Sequence, residues 1–352
     1  MDNYPFIGIL VQKRGYRRRN VKLYQRYVNL KLNLYAFSSE DILWDKKRII
    51  GLQLKKGRWK QQELPFPRAV YNRCYSKESL TIQRLEQLIG KGRCFNSINH
   101  FNKWELTEHL AQSPLKAHLP YTGLYEEANI TALLEQHKLL YIKPLFGSKG
   151  NHVYQVEMKN TGEVYVSEHS LSPLMICRTY EDIRQKLGRL LTGSTYLIQQ
   201  GITVKQSNHH YFDIRALVQK GLGGTWSVTA IICRMAFKQY FNTSMCKQVF
   251  EASTFLQNVI TAARTEQTLQ ELHGLSLAFA EEAEQLYSGL GEISVDFVLD
   301  EEEKLWMIEI NGKPQKSIYT DLKQQLKGYH HIYSSPMEYA YYLTQRESGT
   351  AT

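Results

Sequence analysis

Cysteine is scarce in this chain: Cys74, Cys94, Cys177, Cys233 and Cys246 are the five in 352 residues, odd in number and scattered, with no CxxC pair. That excludes a disulfide framework and a thiolate zinc site as working readings and fits a reducing compartment. No stretch approaches the ~18 apolar residues of a membrane helix. Met1-Asp2-Asn3-Tyr4-Pro5 lacks the basic and then apolar pattern of a secretory signal. A cytoplasmic protein with no membrane span is expected. Acidic residues are also in deficit, 34 against 44 lysines and arginines, for a net charge of +10. The deficit is local. Residues 1–100 hold 21 basic and 7 acidic residues, a balance of +14, and the remainder carries −4. There is no internal repeat and no low-complexity segment. With 43% apolar residues the composition is that of a globular chain rather than a disordered, collagen-like or coiled-coil one.

What is present reads as alternating strands and helices, an α/β (α+β) chain. Phe6–Val11 is nearly all apolar, the pattern of a strand buried on both faces. Lys13, Arg14, Arg17, Arg18, Arg19, Lys22 and Arg26 follow, interleaved with Tyr16, Tyr24 and Tyr27. Basic residues among aromatics can grip nucleic acid; the plainer reading is a solvated loop and helix face. A strand at Leu32–Phe37, another at Ala69-Val70-Tyr71 and a helix over Lys77–Ile89 capped by Ser76 complete a small basic α/β domain over residues 1–97. Downstream, helices are expected over Asn102–Ala111, Asn129–His137, Tyr180–Leu191, Thr265–Tyr287 and Pro336–Gln345. Strands are expected at Leu139–Pro144, Val153–Met158, Glu163–Glu168, Tyr196–Gln200, Phe212–Lys220, Trp226–Met235, Glu292–Leu299 and Lys304–Ile310.

Three constellations carry chemistry. In the first, a strand delivers Lys143 to the loop Gly147-Ser148-Lys149-Gly150. Glycines let backbone N–H groups approach phosphate oxygens, and lysine adds a point charge. It is not a P-loop, because GxxxxGK[ST] is absent; a ligand-free glycine hairpin is the alternative. In the second, Asp296 lies on one strand and Glu309 and Asn311 share a face of the next, so three oxygen donors can converge on a hard cation. The alternative is that the acids face solvent on an amphipathic strand. In the third, Asp213 and Arg215 share a face, and Arg215 can stabilise transferring phosphate charge; a surface Asp/Arg pair is the alternative. His209-His210 reads as a pair of loop histidines, and no Ser/His/Asp set is expected.

In combination these motifs resemble the ATP-grasp superfamily, and more narrowly the YheC/YheD family of ATP-grasp proteins, named for spore-coat association in endospore-forming bacteria. The residues that carry the resemblance are Tyr71-Asn72-Arg73, Phe101-Asn102-Lys103-Trp104-Glu105-Leu106, Leu119-Pro120-Tyr121-Thr122, Tyr141-Ile142-Lys143-Pro144, Gln199-Gln200-Gly201-Ile202, Phe212-Asp213-Ile214-Arg215 and Glu309-Ile310-Asn311-Gly312-Lys313-Pro314. It spans nearly the whole chain; each motif is weak alone, and seven in order are strong. The resemblance implies an ATP-grasp fold behind a small N-terminal pre-ATP-grasp domain, with an N-lobe over 98–200, a C-lobe over 201–346 and a flexible tail over 347–352. It implies that Lys103 and Lys143 contact phosphates and that Gly147, Ser148, Lys149 and Gly150 form a lid. It places adenine at Gln199, Gln200, Gly201 and Ile202, and Mg²⁺, with Mn²⁺ as alternative, on Asp296, Glu309 and Asn311. Arg215 and Arg234 would face the γ-phosphate, and Lys313 is a further candidate beside the metal strand.

The implied activity is an Mg-dependent carboxylate–amine, or other nucleophile, ligase working through an acyl phosphate. Its partners would be ATP, an unidentified carboxylate and nucleophile with peptides and proteins among the candidates, and spore-coat proteins; nucleic acid is not expected. The location implied is the cytoplasm, that of the mother cell, or the spore coat. One departure stands out. Ligases of this type often carry an Asn followed by a Gly-Gly loop near the nucleotide. In residues 239–248 Asn242 fits, the glycines are missing, and Met245 and Cys246 are bulky. This bears on turnover more than on ATP binding. It motivates the alternative of a non-catalytic ATP-binding component of spore-coat assembly.

Overall fold

The computed structural model describes residues 4–74, 79–98, 100–147 and 150–346. Ser76, the expected helix start at Lys77, the lid residues Ser148 and Lys149, and the tail at 347–352 lie outside the described residues.

Three sheets form among the described residues. The first runs β3-β4-β2-β1-β6-β7, with β5 paired to β4. Its strands are β1 (Phe6–Leu10), β2 (Asn33–Phe37), β3 (Ile42–Leu43), β4 (Arg48–Lys55), β5 (Arg58–Pro65), β6 (Ala69–Asn72) and β7 (Cys94–Phe95). The β2-β1-β6-β7 part is parallel, which requires crossovers, and α1 (Arg17–Tyr27) and α2 (Ser79–Ile89) supply them. Both faces are buried, as the apolar run predicts. Ile7 and Ile9 pack with α1 on one side, and Leu10 packs with Ile82 and Leu85 of α2 on the other.

The second sheet runs β12-β11-β10-β9-β13-β8. Its strands are β8 (Thr122–Leu124), β9 (Leu139–Pro144), β10 (Tyr154–Met158), β11 (Val164–Glu168), β12 (Pro173–Cys177) and β13 (Tyr196–Gln200). Before it comes α3 (Lys103–Ala111); α4 (Ile130–His137) and α5 (Tyr180–Leu190) cover it, burying Leu134, Ile183 and Leu187 against Ile142 and Val156. The third sheet runs β17-β16-β15-β18-β19, with β14 (Gln206–Ser207) paired to β15 (His210–Lys220). Its other strands are β16 (Trp226–Ala236), β17 (Cys246–Glu251), β18 (Glu292–Leu299) and β19 (Leu305–Asn311). Helices α6 (Ala252–Leu256) and α7 (Ala262–Leu286) pack on it. Helix α7 seats Leu272, Phe279 and Ala283 in that core, together with Leu106 and Leu110 of α3. The last helix, α8 (His331–Gln345), joins the first and third sheets, its Ile332 and Met337 sharing a core with Ile7, Tyr71, Leu217 and Ala230.

Three expectations need correction. Arg17 is buried, not part of a solvated face, because Asp41 holds its guanidinium at 3.1 Å. Helix α8 begins five residues before Pro336, which sits inside it. A proline there looks like a helix start, since its missing N–H costs nothing in the first turn. The β4–β5 hairpin has no counterpart among the expected strands.

Candidate active site

The first sheet's helix α1, the second sheet's β9 and β13, and the third sheet's β15, β16, β18 and β19 all contribute to one cavity. Lys103 opens α3, whose N-cap Asn102 accepts from the N–H groups of Trp104 and Glu105. That capped start aims Lys103 Nζ to within 3.1 Å of the Glu309 carboxylate. Lys143 comes from β9, opposite Leu197 of β13, and donates to Gln199 Oε1 at 2.6 Å. Burial pushes the Lys143 ammonium down to about 8, with Glu309 opposing the shift and Lys103 adding to it.

The third sheet builds the charged floor. Its register sets Arg234 opposite Asp213, Arg215 opposite Asp296, and Asp296 opposite Glu309. Side chains directly opposite on adjacent strands share a face, so the five form one array across β16, β15, β18 and β19. Arg215 grips Asp296 with two bonds, Nε to Oδ1 at 2.7 Å. Arg234 donates to Asp213 Oδ1 at 2.8 Å and reaches Asp296 Oδ2 at 3.0 Å. Burial alone would raise the Asp296 carboxyl; the two arginines outweigh it and hold it below the ordinary carboxylate range. Asp213 and Arg215 therefore pair across strands rather than with each other, and both are buried, which removes the surface-pair reading. Asn311, two residues beyond Glu309, lies 3.4 Å from the Glu309 carboxylate. Among the described residues no group of three His, Cys, Asp or Glu converges. The oxygen donors that do meet are two carboxylates and an amide, a set that suits a hard cation.

Gly147 and Gly150 line the same cavity. Gly150 has φ +67°, and a Cβ there would come within 2.0 Å of the Asn242 amide, so only glycine fits. Asn242 donates to the Gly150 carbonyl at 3.2 Å. Asn242, Thr243 and Ser244 line the cavity, whereas Met245 is exposed and neither it nor Cys246 lines it. Gln199, Gln200 and Ile202 also line it. The Gln200 N–H donates to Tyr121 and the Gly201 N–H to Leu139, so those two donors are spent inside the sheet. A Cβ on Gly201 would run into Leu139 at 2.2 Å. Lys313 lines the cavity, donates to the Arg73 carbonyl, and is pushed down to about 6 by burial and by Arg73.

Two arrangements have no counterpart among the expectations from the sequence. Beneath the cavity, Glu292 accepts from the Tyr71 hydroxyl, from Arg73 at 3.0 Å and from Gln219 at 2.8 Å, and pairs with Lys316 at 2.7 Å. This joins the first sheet to the third. Along one wall, Arg19, Lys22 and Arg26 of α1 face the cavity. Only the spacing of 3 and 4 residues between them signalled a shared helical face.

The fold is that of the ATP-grasp ligases. D-alanyl-alanine synthetase A from Vibrio cholerae O1 biovar eltor superposes with a TM-score of 0.52 at 11% identity, covering 96% of this chain and 98% of that one. The family model described as YheC/D like ATP-grasp matches residues 91–343, and the chain belongs to that family. It is 27% identical over 328 residues to the endospore coat-associated protein YheD of Bacillus subtilis (strain 168), covering 89% of this chain and 71% of the relative. To the endospore coat-associated protein YheC of the same strain it is 21% identical, covering 82% of each chain.

Proposed function

We propose that this chain is an ATP-dependent ligase joining a carboxylate to an amine, or to another nucleophile, through an acyl phosphate. The observation that carries the reading is the meeting of Lys103, Lys143, Arg215 and Arg234 with Asp296, Glu309 and Asn311 in one cavity. Such a set suits a triphosphate: the cations neutralise phosphate oxygens, and the oxygen donors hold Mg²⁺, or Mn²⁺, which would add charge neutralisation of its own. Lys103 and Lys143 contact the phosphates. Gly147 and Gly150, which line the cavity, border them, and the Gln199–Ile202 segment receives the base. Arg215 and Arg234 face the γ-phosphate. The substrate carboxylate oxygen forms a bond to the γ-phosphorus as ADP leaves. The amine then attacks the acyl carbon, inorganic phosphate leaves, and the amine gives up one proton. Little of this needs a protein nucleophile; positioning and charge do the work.

The domain division at 97/98 and 200/201 belongs to the same reading, since the three sheets span residues 6–95, 122–200 and 206–311. The endospore coat association of the relatives YheC and YheD supports a spore-coat setting. No helix among the described residues is long and apolar enough to cross a membrane. ADP release, measured over a panel of carboxylates and amines, tests the activity. Release that requires both reactants is expected; none with any pair overturns it.

That negative result is the prediction of a second reading, a non-catalytic ATP-binding component of coat assembly. Its support is the 239–248 segment. Asn242 fills the space over Gly150, and the Thr243 hydroxyl donates to Asp213, so this segment lies across the charged floor.

A further inference from the structure

Helix α1 is a wall of the cavity that the phosphate and metal machinery leaves unused. The cavity has a volume of about 1220 Å³, more than the about 300–1,000 Å³ of an ordinary small-molecule site. A nucleotide leaves space for a second molecule. Among the described residues the carboxylates that line the cavity are Asp213, Asp296 and Glu309, and each already has a cation. At the α1 end the balance is different. Arg19, Lys22 and Arg26 line the cavity with Lys323, and Tyr27 and Tyr329 lie alongside them. Among the described residues none of these four cations has an ion-pair partner, and none is opposed by a lining carboxylate.

Folding does not account for the placement. The α1 sequence RRRNVKLYQRY carries five cations and no acid. Three of them fill the first turn, where the helix dipole disfavours positive charge. Asp41 compensates Arg17, and Arg18 lies 5.7 Å from the centre of the Trp59 ring. Arg19 and Lys22 gain neither kind of contact. A helix that concentrates uncompensated charge on the side facing a ligase cavity is built to meet an anion.

We propose that the α1 end of the cavity binds the substrate that supplies the carboxylate, and that this substrate is an acidic peptide segment. The proposal rests on the ligase reading, because that reaction consumes a carboxylate. From Arg19 to Arg26 the row rises about 10 Å at ~1.5 Å per residue, the span of three or four residues of extended peptide at about 3.3 Å each. An extended acidic segment therefore meets Arg19, Lys22 and Arg26 in turn, while one further carboxylate enters toward Arg215. A nucleic acid offers the same charge but no carboxylate, and so becomes a competing outcome.

The test uses the full chain without nucleotide and fluorescein-labelled hexaglutamate, hexaglutamine and hexathymidylate, read by anisotropy at low salt. Hexaglutamate should bind, hexaglutamine should not, and the affinity should fall as salt rises. The triple variant Arg19→Gln, Lys22→Gln, Arg26→Gln should bind hexaglutamate roughly tenfold more weakly, about twofold for each exposed charge contact. The same variant should bind ATP within about twofold of wild type. Lys323→Gln, which leaves α1 intact, should weaken hexaglutamate alone by about twofold. Equal binding by wild type and both variants, no binding of hexaglutamate, or tighter binding of hexathymidylate overturns the proposal. A chain that binds hexaglutamate but not ATP supports the peptide site and overturns the nucleotide reading. A chain that binds ATP but not hexaglutamate does the reverse.

Discussion

At the strand end of the cavity the lining carboxylates all have cation partners. At the helix end, among the described residues, the cations have no carboxylate. Arg215, Arg234, Asp213 and Asp296 form a buried array in which the charges cancel. Arg19, Lys22 and Arg26 sit exposed on α1 with no acid on their helix. Buried charge survives only when paired, because desolvation costs several kcal/mol per unpaired ion. The array at the strand end is therefore held to one geometry, which is what positioning a phosphoryl group needs. Exposed charge carries little such cost, so α1 can keep an excess, and that excess remains available for a ligand. The +14 of residues 1–100 thus divides into a structural part, such as Arg17 and Arg73, and an unspent part on α1.

Breaking a paired charge should cost most. Glu292→Ala leaves Lys316 buried without its acid and takes one partner from Arg73, and should lower unfolding free energy by about 3–5 kcal/mol in denaturant titrations. The sign with pH is set by its depressed carboxyl: burial would raise it, and Lys316 and Arg73 outweigh that. Its contribution should be intact above the ordinary carboxylate pKa and fade as pH falls through the lowered native one. Next comes Arg215→Gln. Losing one preorganised donor for the γ-phosphate should reduce kcat about 100- to 1,000-fold in the ADP-release assay. A smaller effect is expected from pH. With Lys143 pushed down to about 8, only the protonated chain offers phosphate a full charge. ATP affinity should then fall about tenfold between roughly pH 7 and 9, and Lys143→Arg should flatten the profile. Smallest of all is Arg19→Gln. Removing an unpaired cation from the first turn of α1 should shift stability within the small range of surface substitutions, toward greater stability. A clear loss of stability in thermal melts would show that Arg19 serves the fold and would erase the contrast between the two ends.

Much of the scaffold was legible in the sequence. Tyr196–Gln200 and Glu292–Leu299 have the expected bounds because one is closed by Gly201 and the other by the acidic turn at Asp300-Glu301-Glu302-Glu303. The β4–β5 hairpin was not legible. Most of β5 is exposed, so the alternation that marks a strand is missing, and its turn at Lys56-Gly57 relies on positive φ at both residues. The chemistry-bearing residues were nameable, since lysines after a strand and acids inside apolar strands are unusual. Their partners were not. Whether Arg215 meets Asp213 or Asp296 depends on strand register, which spacing along one strand does not contain. The cavity-facing role of α1 was hidden for a similar reason: a basic helix face looks the same from sequence whether it meets bulk water or a neighbouring sheet.

The most direct test of the central claim is calorimetric titration of Mg-ATP into wild type and into the Asp296→Ala, Glu309→Ala double variant. The account predicts binding to wild type and a loss of at least about tenfold in affinity in the variant, the equivalent of ~1.4 kcal/mol. Undiminished binding by the double variant would contradict it.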